Sequence, residues 1–168
     1  MDLYGIDVKV CAAVFDPTGT YVAIASKDST VRIWDVETGD FPFVMAQHNS
    51  SATGVSFSLD GDLLSWSSDR TVKVWDTSTG GMVLSLEGHS GPVEAACFSP
   101  CGKYIASASC ENVTLWRTTD GACIATFTEH RARVKRITFS ADGTTLSSGD
   151  FDGTVCIRRM ADIVTAEQ

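Results

Sequence analysis

The sequence lacks long hydrophobic runs, paired metal-binding cysteines and a basic leader. No apolar stretch approaches the roughly 18 residues that a membrane-spanning helix needs. Asp2, Asp7 and Lys9 interrupt the apolar residues at the start of the chain, which is unlike a secretory signal, so we expect a cytoplasmic or nuclear location. The six cysteines include no CxxC pair, which argues against a zinc site. Without a secretory signal, a disulfide framework is not expected either.

Basic residues are also scarce. The formal net charge is −8, which argues against a general nucleic-acid binder because phosphate binding depends mostly on Lys and Arg. Six of the 13 basic residues nevertheless fall in the last quarter of the chain: Arg131, Arg133, Lys135, Arg136, Arg158 and Arg159. This group is either the solvated edge of one structural unit or a docking patch for an acidic partner.

An internal repeat dominates what the sequence does contain. Four phenylalanines, Phe15, Phe57, Phe98 and Phe139, are spaced 42, 41 and 41 residues apart, and each opens a similar phrase: FDPTG, FSLDG, FSPCG and FSADG. Each phrase is followed by a second one: VRIWD, VKVWD, VTLWR and VCIRR. The three histidines, His48, His89 and His130, keep the same spacing of 41 residues. A fixed period of this length is typical of repeat architectures.

Within one repeat the pattern is entirely β. In the second repeat, short alternating runs rich in β-branched residues are separated by turn residues at 60–61, 69–71 and 78–81. Four short strands in about 41 residues form one antiparallel meander. Such a sheet cannot bury both of its faces alone, so we expect the repeats to stack on one another.

These phrases resemble the WD-repeat family of β-propellers. Trp34-Asp35 and Trp75-Asp76 match the defining dipeptide of that family, and Gly88-His89 matches its Gly-His signature. The resemblance covers nearly the whole chain and implies an all-β fold of four four-stranded antiparallel blades, either an open arc or part of a larger ring. It implies a single domain over residues 1–168, with blades at about 6–47, 48–88, 89–129 and 130–168.

The resemblance also implies a hydrogen-bonded set of His, Ser or Thr, Asp and Trp inside each blade. The second repeat has the full set, and the third and fourth have partial ones: His48, Ser65, Asp69 and Trp75; His89, Ser107 and Trp116; His130, Ser148 and Asp152. Glu111 stands at the Asp position of the third repeat, whose turn is one residue shorter, and Arg158 replaces the Trp of the fourth. The first repeat has Ile6 and Ile24 at the His and Ser positions.

A candidate partner-binding face follows from the same resemblance. It comprises the loops before the first strand and between the second and third strands of each blade, and the residues placed there are Lys27, Ser68, Ser90, Cys110, Arg131, Arg133 and Phe151. Phe151 beside two arginines has the composition of a binding hot spot. The alternative is that Phe151 packs under its own loop.

The expected function is a non-catalytic scaffold that binds other proteins. A regulatory or sensor array from a larger protein is a second hypothesis, and a propeller enzyme a third. The Ser-His-Asp trio recurs in several repeats, whereas an enzyme needs one site, and no GxSxG, Walker, HExxH or GxGxxG motif is present. We therefore expect no catalytic, cofactor or metal site.

The assembly has three alternatives: an open arc, which we favour; two copies paired into an eight-blade ring; or closure of four blades alone. An open arc would leave two blade faces exposed, and we expect them to be apolar and capable of self-association.

Overall fold

The computed structural model describes residues 9–164, which form fifteen strands and one short helix. In chain order the elements are β1 (Val10–Phe15), β2 (Tyr21–Ser26), β3 (Val31–Asp35), β4 (Phe43–Met45), β5 (Ala52–Phe57), β6 (Leu63–Ser67), β7 (Val72–Trp75), β8 (Met82–Leu86), β9 (Val93–Phe98), β10 (Tyr104–Ser109), β11 (Asn112–Arg117), β12 (Cys123–Phe127), β13 (Val134–Phe139), β14 (Thr145–Asp150), β15 (Val155–Arg159) and α1 (Met160–Val164). No helix within this range is long and apolar enough to cross a membrane.

The strands form four antiparallel sheets, one for each repeat, and each sheet is a meander of sequential neighbours. Blade one contains β1–β4, blade two β5–β8, blade three β9–β12 and blade four β13–β15. The first strands of consecutive blades lie side by side, so that β5 packs on β1, β9 on β5 and β13 on β9. The described arc is open. The prediction of antiparallel WD-type blades is therefore confirmed.

The buried core lies between blades rather than within them. Three apolar clusters are present in the described residues, and each draws side chains from two consecutive blades. Between blades two and three, for example, Leu64 and Val74 of blade two pack with Ile105 of blade three. A blade therefore completes its core only when a neighbour covers it, as the repeat pattern predicted.

The prediction of four strands in every blade is wrong for blade four, which has three strands among residues 134–164 and ends in α1. In the other blades the turn into the fourth strand places Gly39, Gly80 and Gly121 at φ angles of +76°, +71° and +72°. Met160-Ala161-Asp162 has no glycine to adopt this conformation, and the chain continues as a helix. The core between blades three and four includes Met160 and contacts Ile163 and Val164, so this helix buries apolar surface in place of the strand.

The outward face of blade four is only partly apolar, whereas an open arc was expected to expose apolar blade faces. Val155 and Ile157 of β15 are 65% and 71% exposed. Their neighbours across β14, by strand register, are Gly149 and Ser147. The corresponding positions of blades two and three are buried apolar residues, including Val72 and Val74 of blade two.

Two strand glycines provide a test of blade packing. A Cβ atom on Gly54 of β5 would lie 2.1 Å from Cζ2 of Trp66, whereas a Cβ on Gly149 of β14 would have no heavy atom within 4 Å. We expect Gly54→Ala to lower the free energy of unfolding by about 2–4 kcal/mol because the Trp66 indole, which packs against the core between blades two and three, must move. The matched Gly149→Ala should change it by less than about 1 kcal/mol. Chemical denaturation measures both, and equal losses would contradict this account of the packing.

Candidate functional site

The hydrogen-bonded set of blade two joins two strands and two loops. His48, in the loop before β5, places Nδ1 3.0 Å from Asp69 Oδ2 and Nε2 2.8 Å from Ser65 Oγ. The indole N–H of Trp75 donates to the same Ser65 oxygen at 2.8 Å. A neutral imidazole that donates from Nδ1 to the carboxylate accepts at Nε2 from the Ser65 hydroxyl, so both imidazole nitrogens, the serine hydroxyl and the indole N–H all have partners.

The carboxylate of Asp69 is held in its charged form. Burial acts to raise its pKa, but hydrogen bonds from the Thr71 hydroxyl and from the backbone N–H groups of Asn49 and Thr71 outweigh this and lower the pKa to about 2. The pKa of His48 is also lowered, mainly because burial disfavours its charged form. The pair is therefore a neutral imidazole against a carboxylate at neutral pH.

Blade three contains a shorter version of the set. His89 Nε2 lies 2.6 Å from Ser107 Oγ, and the Trp116 indole donates to that oxygen at 2.7 Å. Glu111 is exposed and makes no bond to His89 among the described residues. The two-residue turn between β10 and β11 requires Cys110 to adopt a φ of +52°. Burial without a carboxylate partner lowers the pKa of His89 to about 4.

In blade four the acid is Asp150 rather than Asp152. His130 Nε2 lies 2.7 Å from Ser148 Oγ, as expected, but Nδ1 lies 2.9 Å from Asp150 Oδ2. Asp152 is exposed, and its backbone N–H donates to Asp150. The carboxylate of Asp150 also accepts from the N–H of Thr154, so the same carboxylate both closes the turn and binds the histidine. Positional alignment with Asp69 missed this residue.

Arg158 takes the place of the tryptophan in blade four. Its Nη1 donates to Ser148 Oγ at 3.0 Å, as the indole does elsewhere, and its Nη2 contacts the Glu129 carboxylate. The guanidinium carbon lies 4.5 Å from the centre of the Phe127 ring, within cation–π range. The substitution therefore keeps the donor to the serine and adds an ion pair.

The serines of these sets are unsuited to attack a substrate. Ser65, Ser107 and Ser148 are all completely or almost completely buried. Each already contacts both a histidine and a second donor. The arrangement links the second and third strands of a blade to the loop before its first strand, which is a structural role. Within residues 9–164, no group of three His, Cys, Asp or Glu side chains could hold a metal ion.

The residues of the candidate binding face come from all four blades and lie at the same end of each blade. Lys27, Ser68, Cys110 and Phe151 follow the second strands, while Ser90, Arg131 and Arg133 precede the first strands. Backbone bonds tie the two loop types together, as between the N–H of Phe151 and the carbonyl of Arg133. A further bond joins neighbouring blades, from the N–H of Val134 to the carbonyl of Cys110. These connections depend on how the loops and blades pack, which the sequence pattern does not show.

Blade four carries the most prominent group on this face. Phe151 is 76% exposed and does not pack under its loop. The ammonium of Lys135 lies 5.8 Å from the centre of the Phe151 ring. Glu94 of blade three accepts ion pairs from Arg133 at 3.2 Å and Lys135 at 3.0 Å. Neither Lys135 nor Glu94 was among the residues predicted for this face, although Lys135 belongs to the basic group considered as a docking patch.

The six clustered basic residues do not form one patch. Arg131 and Arg133 belong to the loop face, whereas Arg158 is 9% exposed and lies inside blade four. By strand alternation Arg136 and Arg159 belong to the outward face of that blade. These arginines therefore lie in three different environments: the loop face, the interior of blade four and the outward face of that blade.

Comparison with known proteins agrees with this architecture. Residues 7–119, more than half of the chain, match the family described as the WD repeat-containing protein 75 second beta-propeller. Residues 121–158 match the WD domain, G-beta repeat. The chain therefore belongs to the WD-repeat family of β-propeller proteins.

Similar curated proteins share only part of the chain. Pre-mRNA-processing factor 19 of Bos taurus is 41% identical over 66 residues, which are 39% of this chain and 13% of that protein. U3 small nucleolar RNA-associated protein 21 of Saccharomyces cerevisiae is 41% identical over 63 residues, 38% of this chain and 7% of that protein. WD repeat-containing protein AAC3 of Dictyostelium discoideum is 38% identical over 58 residues, 34% of this chain and 12% of that protein. The matches span a small part of each relative.

The hydrogen-bonded set of blade two generates a stability prediction. Asp69→Ala removes the acceptor of His48 and of two backbone N–H groups, so we expect a loss of about 2–4 kcal/mol in the free energy of unfolding. The control is Asp62→Ala, in an exposed turn. Partial desolvation of the Asp62 carboxyl and the neighbouring Asp76 and Asp60 raise its pKa. That variant should be neutral or slightly stabilising. Equal shifts in denaturation midpoint would contradict the structural role of Asp69.

The unpaired histidine of blade three generates a pH prediction. The pKa of His89 falls from 6.5 to about 4 on folding, so the unfolded chain binds the extra proton first as the pH falls. Its contribution to stability is complete above pH 6.5 and is lost as the pH falls to about 4, by as much as about 2–3 kcal/mol. His89→Gln, which cannot titrate, should flatten this part of the stability curve. Superimposable slopes for the two proteins between pH 6.5 and 4 would show that His89 does not titrate as described.

Proposed function

We propose that this chain is a non-catalytic scaffold that binds other proteins through the loop face defined above. The observation that carries the proposal is the corner of blade four, where an exposed Phe151 lies beside Lys135 and is bound through its backbone to Arg133, with Arg131 exposed in the same loop as Arg133. Aromatic and arginine side chains supply much of the binding energy at protein interfaces. We also propose that residues 1–168 form a single domain, with blades at about 6–47, 48–88, 89–129 and 130–168.

The scaffold holds this corner in place. Val134 begins β13 and is completely buried, and its N–H is bound to blade three. The Phe151 loop is tied to Arg133, and Glu94 neutralises part of the basic charge from the neighbouring blade. Little ordering is therefore needed when a partner binds, which favours affinity. The remaining basic groups suit a partner whose surface is acidic around an apolar contact.

The relatives suggest a setting for this role. One is named for pre-mRNA processing and another for association with U3 small nucleolar RNA. We propose that the chain acts in the nucleus within complexes of this kind, as a protein-binding component. The formal net charge of −8 supports protein rather than RNA as its direct ligand.

Quantitative capture tests the face. The tagged chain and its Phe151→Ala, Arg131→Ala double variant are incubated with nuclear extract, and bound proteins are compared by mass spectrometry. We expect specific partners of the wild type to fall at least tenfold in the double variant, which corresponds to about 1.4 kcal/mol.

The matched control lies at the opposite end of the blades. Leu59 and Lys103 are an exposed apolar and an exposed basic residue in turns that join first and second strands. The Leu59→Ala, Lys103→Ala variant should capture the same partners as the wild type. Undiminished capture by the Phe151 and Arg131 variant, with an unchanged melting temperature, would move the binding site elsewhere.

A further inference from the structure

Blade four leaves one strand edge open. In blades one, two and three the third strand pairs on both sides, with the second and the fourth strand. In blade four, within residues 9–164, β15 pairs only with β14. An unpaired edge presents a row of backbone donors and acceptors to any strand that can lie beside it.

The register shows which backbone groups face this edge. The turn bond from Asp150 N–H to the Thr154 carbonyl and the bond from Met160 N–H to the Thr144 carbonyl bracket the ladder between β14 and β15. Because hydrogen-bonded pairs alternate in an antiparallel ladder, Cys156 and Arg158 bond to β14. The N–H and C=O groups of Val155 and Ile157 therefore point to the open edge. In blade two the corresponding residues, Val72 and Val74, pair with Leu86 and Leu84 of β8.

A cavity of about 410 Å³ lies along this edge. It is lined by Phe127 and Glu129 of blade three, by Ile157, Arg158 and Arg159 of β15, and by Asp162 and Ile163 of α1. The Arg158 side chain is 9% exposed, and its Nε is the one buried side-chain nitrogen or oxygen without a hydrogen-bond partner in residues 9–164. A buried donor without an acceptor is unfavourable, and an acceptor that enters the cavity would remove this cost.

The other blades show what occupies this position. Met82 of β8 lies opposite Trp75, and Cys123 of β12 lies opposite Trp116. Both are apolar neighbours of an apolar ring. Where Arg158 replaces the ring, the corresponding neighbour needs an oxygen that can accept from Nε.

We propose that the open edge of β15 binds an extended segment of a partner protein as an antiparallel fourth strand. Backbone bonds to Val155 and Ile157 supply affinity, and an acceptor side chain opposite Arg158 supplies specificity. The site extends the proposed scaffold role to a second surface that uses none of Phe151, Arg131 or Arg133.

A partner segment suits the edge better than a second copy of the chain. In a symmetric antiparallel pair of β15 strands centred on Ile157, Cys156 of the second copy would lie opposite Arg158, and its thiol is a weak acceptor. A foreign strand can bring an oxygen acceptor. The partner is therefore defined by an extended conformation with one Asn, Gln, Asp or Glu at this position.

Two synthetic peptides provide the probe. Both have the sequence of residues 120–128, which contains the fourth strand of blade three, and they carry either Cys123→Asn or Cys123→Leu. Asn and Leu are similar in size and both are uncharged, so the comparison holds size and charge constant and adds an amide group with its acceptor oxygen. Binding to the full chain is measured by calorimetry. We expect the Asn peptide to bind at least tenfold more tightly than the Leu peptide.

Two variants of the protein test the edge itself. Ile157→Pro removes an N–H that faces the open edge and leaves the ladder to β14 intact, so it should abolish binding of the Asn peptide. Ile157→Thr keeps the N–H and the β-branched shape and should bind within about threefold of the wild type. If the proline variant does not fold, Ile157→Lys, which keeps the N–H but places a charge on the strand, replaces it and should also weaken binding at least tenfold.

Three results would overturn the proposal: no binding of either peptide, equal binding of both, or binding that survives in Ile157→Pro. A wild-type dimer that Ile157→Pro dissociates would also overturn it, because a second copy would then occupy the edge. None of these outcomes affects the capture experiment at the loop face, so the two proposed binding surfaces are tested independently.

Discussion

The whole structure depends on the inability of one four-stranded sheet to bury both of its faces. The apolar clusters of the described residues lie between blades, with Leu64 on one side and Ile105 on the other in the central case. Each of these clusters is shared by two consecutive blades. Stacking is therefore the folding event that buries apolar surface, and the period of about 41 residues exists because each stacked unit must present the same two faces. Changes at a blade face, such as a side chain on Gly54, consequently act on two units at once.

A second constraint is the buried polar set, which fixes strands that stacking alone would allow to slide. In each of blades two, three and four one serine oxygen binds both a histidine nitrogen and a donor from the third strand. The carboxylate is the variable member: Asp69 in blade two, none against His89 in blade three, and Asp150 in blade four. The serine and its two neighbours are thus the minimum that the fold retains, and the acid adds stability and pH dependence.

The repeat period and the turn residues were enough to predict the antiparallel blades and their order, because both are local and recur. Two features were missed. Asp150 could not be found by alignment, since its role depends on how a turn positions two acids two residues apart. The short helix after Arg159 depends on the absence of one glycine and on the packing of Met160, Ile163 and Val164 in the core between blades three and four. Both outcomes are decided by tertiary contacts, which a periodic pattern does not contain.

The departures of blade four are connected. Without a fourth strand, a tryptophan at position 158 would lose the neighbour that Met82 gives Trp75 and would face an open cavity. An arginine keeps the bond to Ser148, stacks on Phe127 and pairs with Glu129. It therefore suits an edge without a resident strand, at the cost of one unpaired buried nitrogen. Blade four is the blade with three described strands instead of four, and both proposed binding surfaces involve it.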